Sequence, residues 1–108
     1  MIQDLGLRGT LVTEPSQLSV GHEAKVRATV FNASHRNRDD LDVELDIDGT
    51  TVSKHAVSVA AGATLAIEVP WTPTQPGSHL VKILVDPFGE PDDEDLLNNW
   101  REISVSVR

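Results

Sequence analysis

The sequence predicts an all-β fold, a seven-stranded antiparallel sandwich of two sheets of the immunoglobulin-like type. Apolar and polar residues alternate with a period of two along most of the 108 residues, which sorts them onto the two faces of a strand but would scatter them around a helix. Clusters of Gly, Pro, Asn, Asp and Ser interrupt these stretches at the short intervals typical of antiparallel sandwiches. Because each strand then has an apolar face to cover, two packed sheets are expected.

The first three predicted strands follow one another in the N-terminal half. The first is LGLRGTLVTEP, which ends at Pro15, and the second is HEAKVRATVFN, in which the even positions from Ala24 to Val30 are apolar. The third is DLDVELDIDG, where Leu41, Val43, Leu45 and Ile47 alternate with acidic residues. This third strand should therefore have one buried face and one acidic face.

Four further strands complete the predicted sandwich. TTVSKHAVSVA is a weak candidate that suits an edge, ATLAIEVPW is firmer, HLVKILVD suits a buried position, and WREISVSVR has one apolar face. The chain has no cysteine, so neither disulfides nor Cys-ligated metals can hold it together. Packing between the sheets must suffice, and we expect it to come from Val26, Val30, Val43, Leu45, Val81, Ile83 and Val85.

Length and charge limit the classes of partner. A chain of 108 residues has the size of one domain, so we treat residues 1–108 as a single, monomeric domain. Its formal net charge is −8, with seventeen acidic residues against nine Lys and Arg. Nucleic acids and anionic membranes attract clustered basic residues, and no apolar run is long enough to cross a bilayer. We expect no nucleic-acid partner and no membrane insertion.

Several short segments resemble a known family when taken in order. They are DLGL, VGHEAKVRATVFNAS, LDVELDIDGTTV, the W-x-P…PG-x-H residues Trp71, Pro73, Pro76, Gly77 and His79, VDP at 85–87, and NN at 98–99. Together they resemble the CARDB family of prokaryotic immunoglobulin-like, cell-adhesion-related domains, over nearly the whole chain. The resemblance implies a module of bacterial and archaeal surface or secreted proteins, often beside catalytic or adhesive domains, and no chemistry of its own.

The segment DPFGEPDDEDLLNN concentrates acidic residues between Asp86 and Asn99. Calcium prefers clustered carboxylates, which makes candidate ligands of Asp86, Glu90, Asp92, Asp93, Glu94 and Asp95. The alternative is a turn, because Pro91 followed by acids suits the start of a helical turn. The spacing does not match an EF-hand loop, and Leu96 stands where the resembled family would offer another carboxylate. We therefore predict a structural turn without a cofactor, with calcium as the alternative.

Three other features could carry function. The acidic stripe of the third strand, Asp40 to Asp48, is expected to be a solvated face, partly relieved by Lys82 if that residue faces it. Trp71 is expected to pack in the core, whereas Trp100 could pack or could stack on a sugar.

The four histidines are His22, His35, His55 and His79, and they show no metal-ligand spacing. His79 is expected to pack at a strand end. No serine lies in a nucleophile elbow, and Asn32 begins a glycosylation sequon, NAS, of a kind that often matches by chance.

The sequence thus favours a non-catalytic structural, adhesion or protein-interaction module, located at the cell surface or outside the cell. Its partners would be neighbouring domains of a larger protein or a separate protein. The alternative is a carbohydrate-binding accessory domain of a secreted enzyme. An enzyme is disfavoured, because no nucleophile, base or metal-ligand spacing is visible.

Overall fold

The structure is a computed structural model that describes residues 5–33, 35–85 and 100–108. All regular elements in these ranges are strands, which confirms the predicted all-β class. Their bounds are β1 Leu5–Glu14, β2 Ala24–Asn32, β3 Arg38–Ile47, β4 Thr50–Val59, β5 Thr64–Trp71, β6 Gly77–Val85 and β7 Trp100–Val107.

The strands form two sheets. One sheet has three strands in the order β1-β2-β5, and the other has four in the order β4-β3-β6-β7. All neighbouring strands within each sheet run antiparallel. The weak strand β4 lies at an edge of its sheet, as its sequence predicts. No helix among the described residues is long and apolar enough to cross a membrane.

The space between the sheets is filled by the residues that the alternation predicts. Side chains of β2, β3 and β6 are fully buried there, and all seven expected core residues have an exposed fraction of 0%: Val26, Val30, Val43, Leu45, Val81, Ile83 and Val85. Leu7, Leu11 and Leu41 extend this core cluster. The core is therefore aliphatic, and shape-matched branched side chains hold the two sheets together without covalent links.

The turn between β3 and β4 has a backbone that the Asp-Gly pair favours. Asp48 and Gly49 have φ angles of 53° and 85°, the left-handed values at both positions of a primed hairpin turn. Glycine adopts this conformation without strain, and aspartate is one of the few other residues that tolerate it. The turn places Asp48 beside β6, where its backbone nitrogen donates a hydrogen bond to the carbonyl of Leu80 at 2.9 Å.

The outer face of β3 is less exposed to solvent than predicted. Asp42 is exposed, but Glu44 and Asp46 are half-buried. Lys82 does lie opposite Asp46 in the register, yet its ammonium group sits over the Trp100 ring at 4.7 Å. Glu44 instead has a basic partner in Lys54 of β4, whose Nζ is 3.5 Å from a carboxylate oxygen of Glu44.

The sandwich is elongated and has two distinct poles. Its extents are 46 × 21 × 20 Å. At one end, which we call the N-terminal pole, Leu5 pairs with Asn32. At the other end, the C-terminal pole, Val107 pairs with Gly77 and packs with Leu18 and Ala24. The first and last described residues therefore lie at opposite ends of the molecule.

Candidate functional site

The six calcium candidates, Asp86, Glu90, Asp92, Asp93, Glu94 and Asp95, lie outside the described residues. The choice between a turn and a metal site there stays a prediction. Within the ranges that the structure describes, no three His, Asp or Glu side chains are grouped so that they could hold a metal ion.

The two tryptophans occupy different environments. Trp71, at the end of β5, is half-buried and packs against both apolar clusters, so it lies at the edge of the core rather than inside it. Trp100, at the start of β7, is 39% exposed on the outer face of the four-stranded sheet. The Lys82 ammonium group over its ring gives a cation–π contact at the surface.

His79 and Asp48 form a hydrogen-bonded pair at the C-terminal pole. His79 Nδ1 lies 2.6 Å from Asp48 Oδ2, and His79 Nε2 lies 2.8 Å from the carbonyl oxygen of Gln75. The other carboxylate oxygen of Asp48 accepts a bond from the backbone nitrogen of Leu80 at 2.8 Å. Trp71 meets the imidazole edge-on, with ring centroids 6.1 Å apart. We call His79, Asp48, Gln75 and Trp71 the histidine corner.

The histidine corner favours a charged imidazole. Both ring nitrogens face acceptors, and only the doubly protonated ring can donate to both. The hydrogen bond to Asp48, followed by the one to Gln75, raises the pKa of His79 above its ordinary value. The bond from His79, followed by the one from Leu80, lowers the pKa of Asp48. With both ring nitrogens engaged, the imidazole cannot ligate a metal or transfer a proton without breaking this arrangement.

The same corner explains the W-x-P…PG-x-H residues. Pro73 is fully buried, and its carbonyl accepts a hydrogen bond from the backbone nitrogen of Gly21 at 2.9 Å. Gly77 has a φ angle of 107°, which side chains other than glycine's rarely tolerate. The motif therefore forms part of the C-terminal pole. An open cleft of about 470 Å³ lies at the surface beside Trp71 and His79.

Stability should depend on pH through this corner. Because the pKa of His79 is raised in the folded state, the contribution of its charged form is complete below about pH 6.5, its unfolded value. It is lost as pH rises through the higher folded value. Asp48 acts oppositely, since its lowered pKa gives stability above about pH 4 that is lost in stronger acid.

The expected result is a urea-midpoint difference between the wild type and His79→Gln that is larger at pH 5.5 than at pH 8.5. His55→Gln, at an exposed position of β4, controls for the loss of an imidazole. A His79→Gln difference that is the same at both pH values would contradict the charged corner.

The other histidines do not converge on this corner. His22 lies in the β1–β2 connection, His35 in the β2–β3 connection and His55 on β4, and all three are exposed. Sequence reasoning found His79 through the resemblance, but it did not foresee Asp48 as its partner. The signal available was the turn at Asp48 and Gly49, because the aspartate of this turn lies beside the neighbouring strand β6.

Asn32 is a structural residue that the sequence presents as a glycosylation sequon. Its side chain is 1% exposed, and its Nδ2 donates to the carbonyls of Arg36 at 2.7 Å and Val59 at 3.0 Å. A glycan would attach through this same nitrogen. The folded domain therefore does not present the sequon, and Asn32 instead ties β2 to β4 and to the β2–β3 connection at the N-terminal pole.

Comparison with known proteins identifies the fold family. The CARDB family model matches residues 3–103. The CARDB domain of a Pyrococcus furiosus protein, solved in complex with di-metal ions, is 25% identical, with a TM-score of 0.79 over 99% of this chain and 90% of that one. A domain of a Methanosarcina acetivorans protein assigned to the cell surface is 22% identical, with a TM-score of 0.77 over 100% and 94% of the two chains.

A similar fold also occurs as a small part of a larger enzyme. It matches 16% of a β-glucosidase from Erythrobacter marinus, at 17% identity and a TM-score of 0.69 over 98% of this chain. No curated protein matches the chain. Since the family model matches residues 3–103 of the 108, the chain belongs to the CARDB family of immunoglobulin-like domains.

Proposed function

We propose that this CARDB domain is a non-catalytic structural module, which links and separates neighbouring domains of a prokaryotic surface or secreted protein. The observation that most supports this role is that the two ends of the described chain lie at opposite poles. β1 begins at the N-terminal pole and β7 ends at the C-terminal pole. The nine residues of β2 alone span about 27 Å at ~3.3 Å per residue, so neighbours attached at the two poles would be held well apart.

Single-molecule fluorescence energy transfer between flanking fluorescent proteins tests this role. A Gly/Ser linker of about 25 residues has a root-mean-square length of about 25–30 Å, which matches the span of β2. We expect a narrow distribution of transfer efficiency across the domain and a broad one across the linker. Equal widths would show that the domain does not fix the separation of its neighbours.

Carbohydrate binding is the second candidate, and the exposed ring of Trp100 is the observation in its favour. Aromatic rings on sandwich surfaces can stack on sugars, but the Lys82 ammonium group already lies over this ring at 4.7 Å. We therefore expect the fluorescence of the domain to stay unchanged in cello-, laminari- and xylo-oligosaccharides. A saturable change that Trp100→Phe abolishes would favour the carbohydrate-binding role instead.

Metal binding is supported by the Pyrococcus domain, whose structure contains di-metal ions. In this chain we propose at most weak calcium affinity in the acidic segment. A site with a dissociation constant of roughly 0.1–1 mM would add roughly 1.4–2.7 kcal/mol at about 10 mM calcium. Melting would then rise by more than about 5 °C.

We expect calcium to raise the melting temperature by less than about 5 °C, and magnesium at equal ionic strength to raise it by the same amount. Magnesium is the control because screening alone stabilises a protein with a net charge of −8. A calcium-specific rise that Asp92→Asn with Asp93→Asn abolishes would make the segment a metal site.

A further inference from the structure

We propose that the domain bears tension along its long axis, because a pull on its two ends loads both terminal strands in shear. This inference rests on the proposed role between neighbouring domains. It adds that the domain resists force rather than merely setting a distance.

The first strand is loaded along its length. β1 starts at the N-terminal pole, where Leu5 pairs with Asn32, and ends at the C-terminal pole, where Glu14 pairs with Lys25. A pull on the chain before Leu5 points away from the N-terminal pole and therefore along the strand. The hydrogen bonds of an antiparallel pair lie perpendicular to the strands, so this load falls on the β1–β2 bonds together.

The last strand is loaded in the same way from the other end. β7 starts opposite Leu84 and ends at the C-terminal pole, where Val107 pairs with Gly77. A pull on Arg108 points away from that pole and acts along β7. The pairing of β7 with β6 is therefore sheared as a unit, and no bond at its end can open alone.

A parallel clamp joins the two loaded parts of the chain. Leu18, which follows β1, forms a parallel bridge with Val107 of β7. The backbone nitrogen of Arg108 donates to the carbonyl of Leu18, and that of Val20 donates to the carbonyl of Arg108, both at 2.9 Å. Tension draws β1 and the segment after it towards one pole and the end of β7 towards the other, so these bonds are also sheared.

Apolar side chains pack beneath one part of the clamp, whereas Val20 and Arg108 are exposed. Leu18, Ala24 and Val107 are 2%, 2% and 5% exposed and form their own apolar cluster. Nearer the other end of β7, Arg101 Nε donates to the carbonyl of Gly9 in β1 at 3.2 Å. These two links join β7 to β1 and to the segment that follows β1, although β1 and β7 lie in different sheets.

The geometry predicts that resistance depends on the direction of pulling. A single backbone hydrogen bond contributes little net stability, so bonds that open one at a time resist little. Bonds that must break together add their contributions to one barrier. Forced unfolding is governed by that barrier rather than by the equilibrium free energy.

Single-molecule pulling with two attachment geometries tests the proposal. In the first, handles are fused before Leu5 and after Arg108. In the second, the handles are at Thr74→Cys and after Arg108, both at the C-terminal pole, so that β7 is peeled from β6. The chain has no native cysteine, so the attachment is unique. We expect the first geometry to rupture at a force at least about threefold higher, because several bonds break together.

A matched pair of variants tests the clamp. Arg108→Pro removes the nitrogen–hydrogen donor to Leu18, whereas Arg108→Ala keeps it. We expect the proline variant alone to lower the rupture force in the first geometry. Equal forces in the two geometries, or equal forces for the two variants, would overturn the proposal. A narrow energy-transfer distribution combined with equal forces would overturn the tension role and leave the spacer role standing.

Discussion

Leu45→Ala is expected to lower the free energy of unfolding by about 2–4 kcal/mol, through loss of buried apolar contacts and the cavity left behind. Leu45 lies towards the C-terminal end of β3 with an exposed fraction of 0%, and the core around it has no disulfide to compensate. Val43→Ala, at an equally buried position two residues earlier, should also cost stability by the same mechanism. Urea titration measures both losses.

Asp42→Ala is the matched control on the same strand. The Asp42 side chain is exposed, so its truncation leaves no cavity and should change stability by less than about 0.5 kcal/mol. Comparable losses for Asp42→Ala and Leu45→Ala would mean that the buried and solvent faces of β3 are assigned the wrong way round.

Asn32→Asp should destabilise the domain at neutral pH by about 1–3 kcal/mol, the cost of leaving buried hydrogen-bonding groups without their partners. In the wild type, the Asn32 amide nitrogen donates to two carbonyls, those of Arg36 and Val59. A carboxylate at this position, which is 1% exposed, would place an oxygen against both carbonyls and bury a negative charge. The measurement is the urea midpoint at pH 7.

Asn37→Asp makes the same chemical change at an exposed site. The Asn37 carbonyl oxygen accepts a hydrogen bond from the backbone nitrogen of Ala61 at 2.9 Å, and a carboxylate can accept the same bond. Its cost should therefore be small. If the two variants lost equal stability, the added charge alone would be responsible, and Asn32 would not be the anchor of the N-terminal pole.

The sequence was sufficient to predict the strands and the core. Burial on one face of a strand is a local property, so the alternation around Val43 and Leu45 reveals it directly. The edge position of β4 could likewise be predicted, because its alternation is weak: Ser53 and His55, which pair with Leu45 and Val43 of β3, are polar. Pairing between strands that are distant in sequence is not a local property. The contacts of Glu44 with Lys54 and of Lys82 with Trp100 depend on the strand register, which only the structure shows.

The residues of the two poles were harder to interpret from the sequence. His79 and Asp48 are 31 positions apart, and nothing in either segment specifies the other. Asn32 carries a sequon whose accessibility depends on the chain that folds over it. The bridge between Leu18 and Val107 joins opposite parts of the sequence, and neither segment carries a pattern that predicts parallel pairing.

The distance between the poles tests the central claim most directly. Spin labels at Ala33→Cys and Arg108→Cys, both exposed positions, would report it in a chain without native cysteine. We predict a narrow distribution centred above about 25 Å, from the length of β2 at ~3.3 Å per residue. Labels at Thr72→Cys and Arg108→Cys, both at the C-terminal pole, should lie clearly closer together. A first distance as short as the second, or a broad one, would contradict a module that holds its two ends apart.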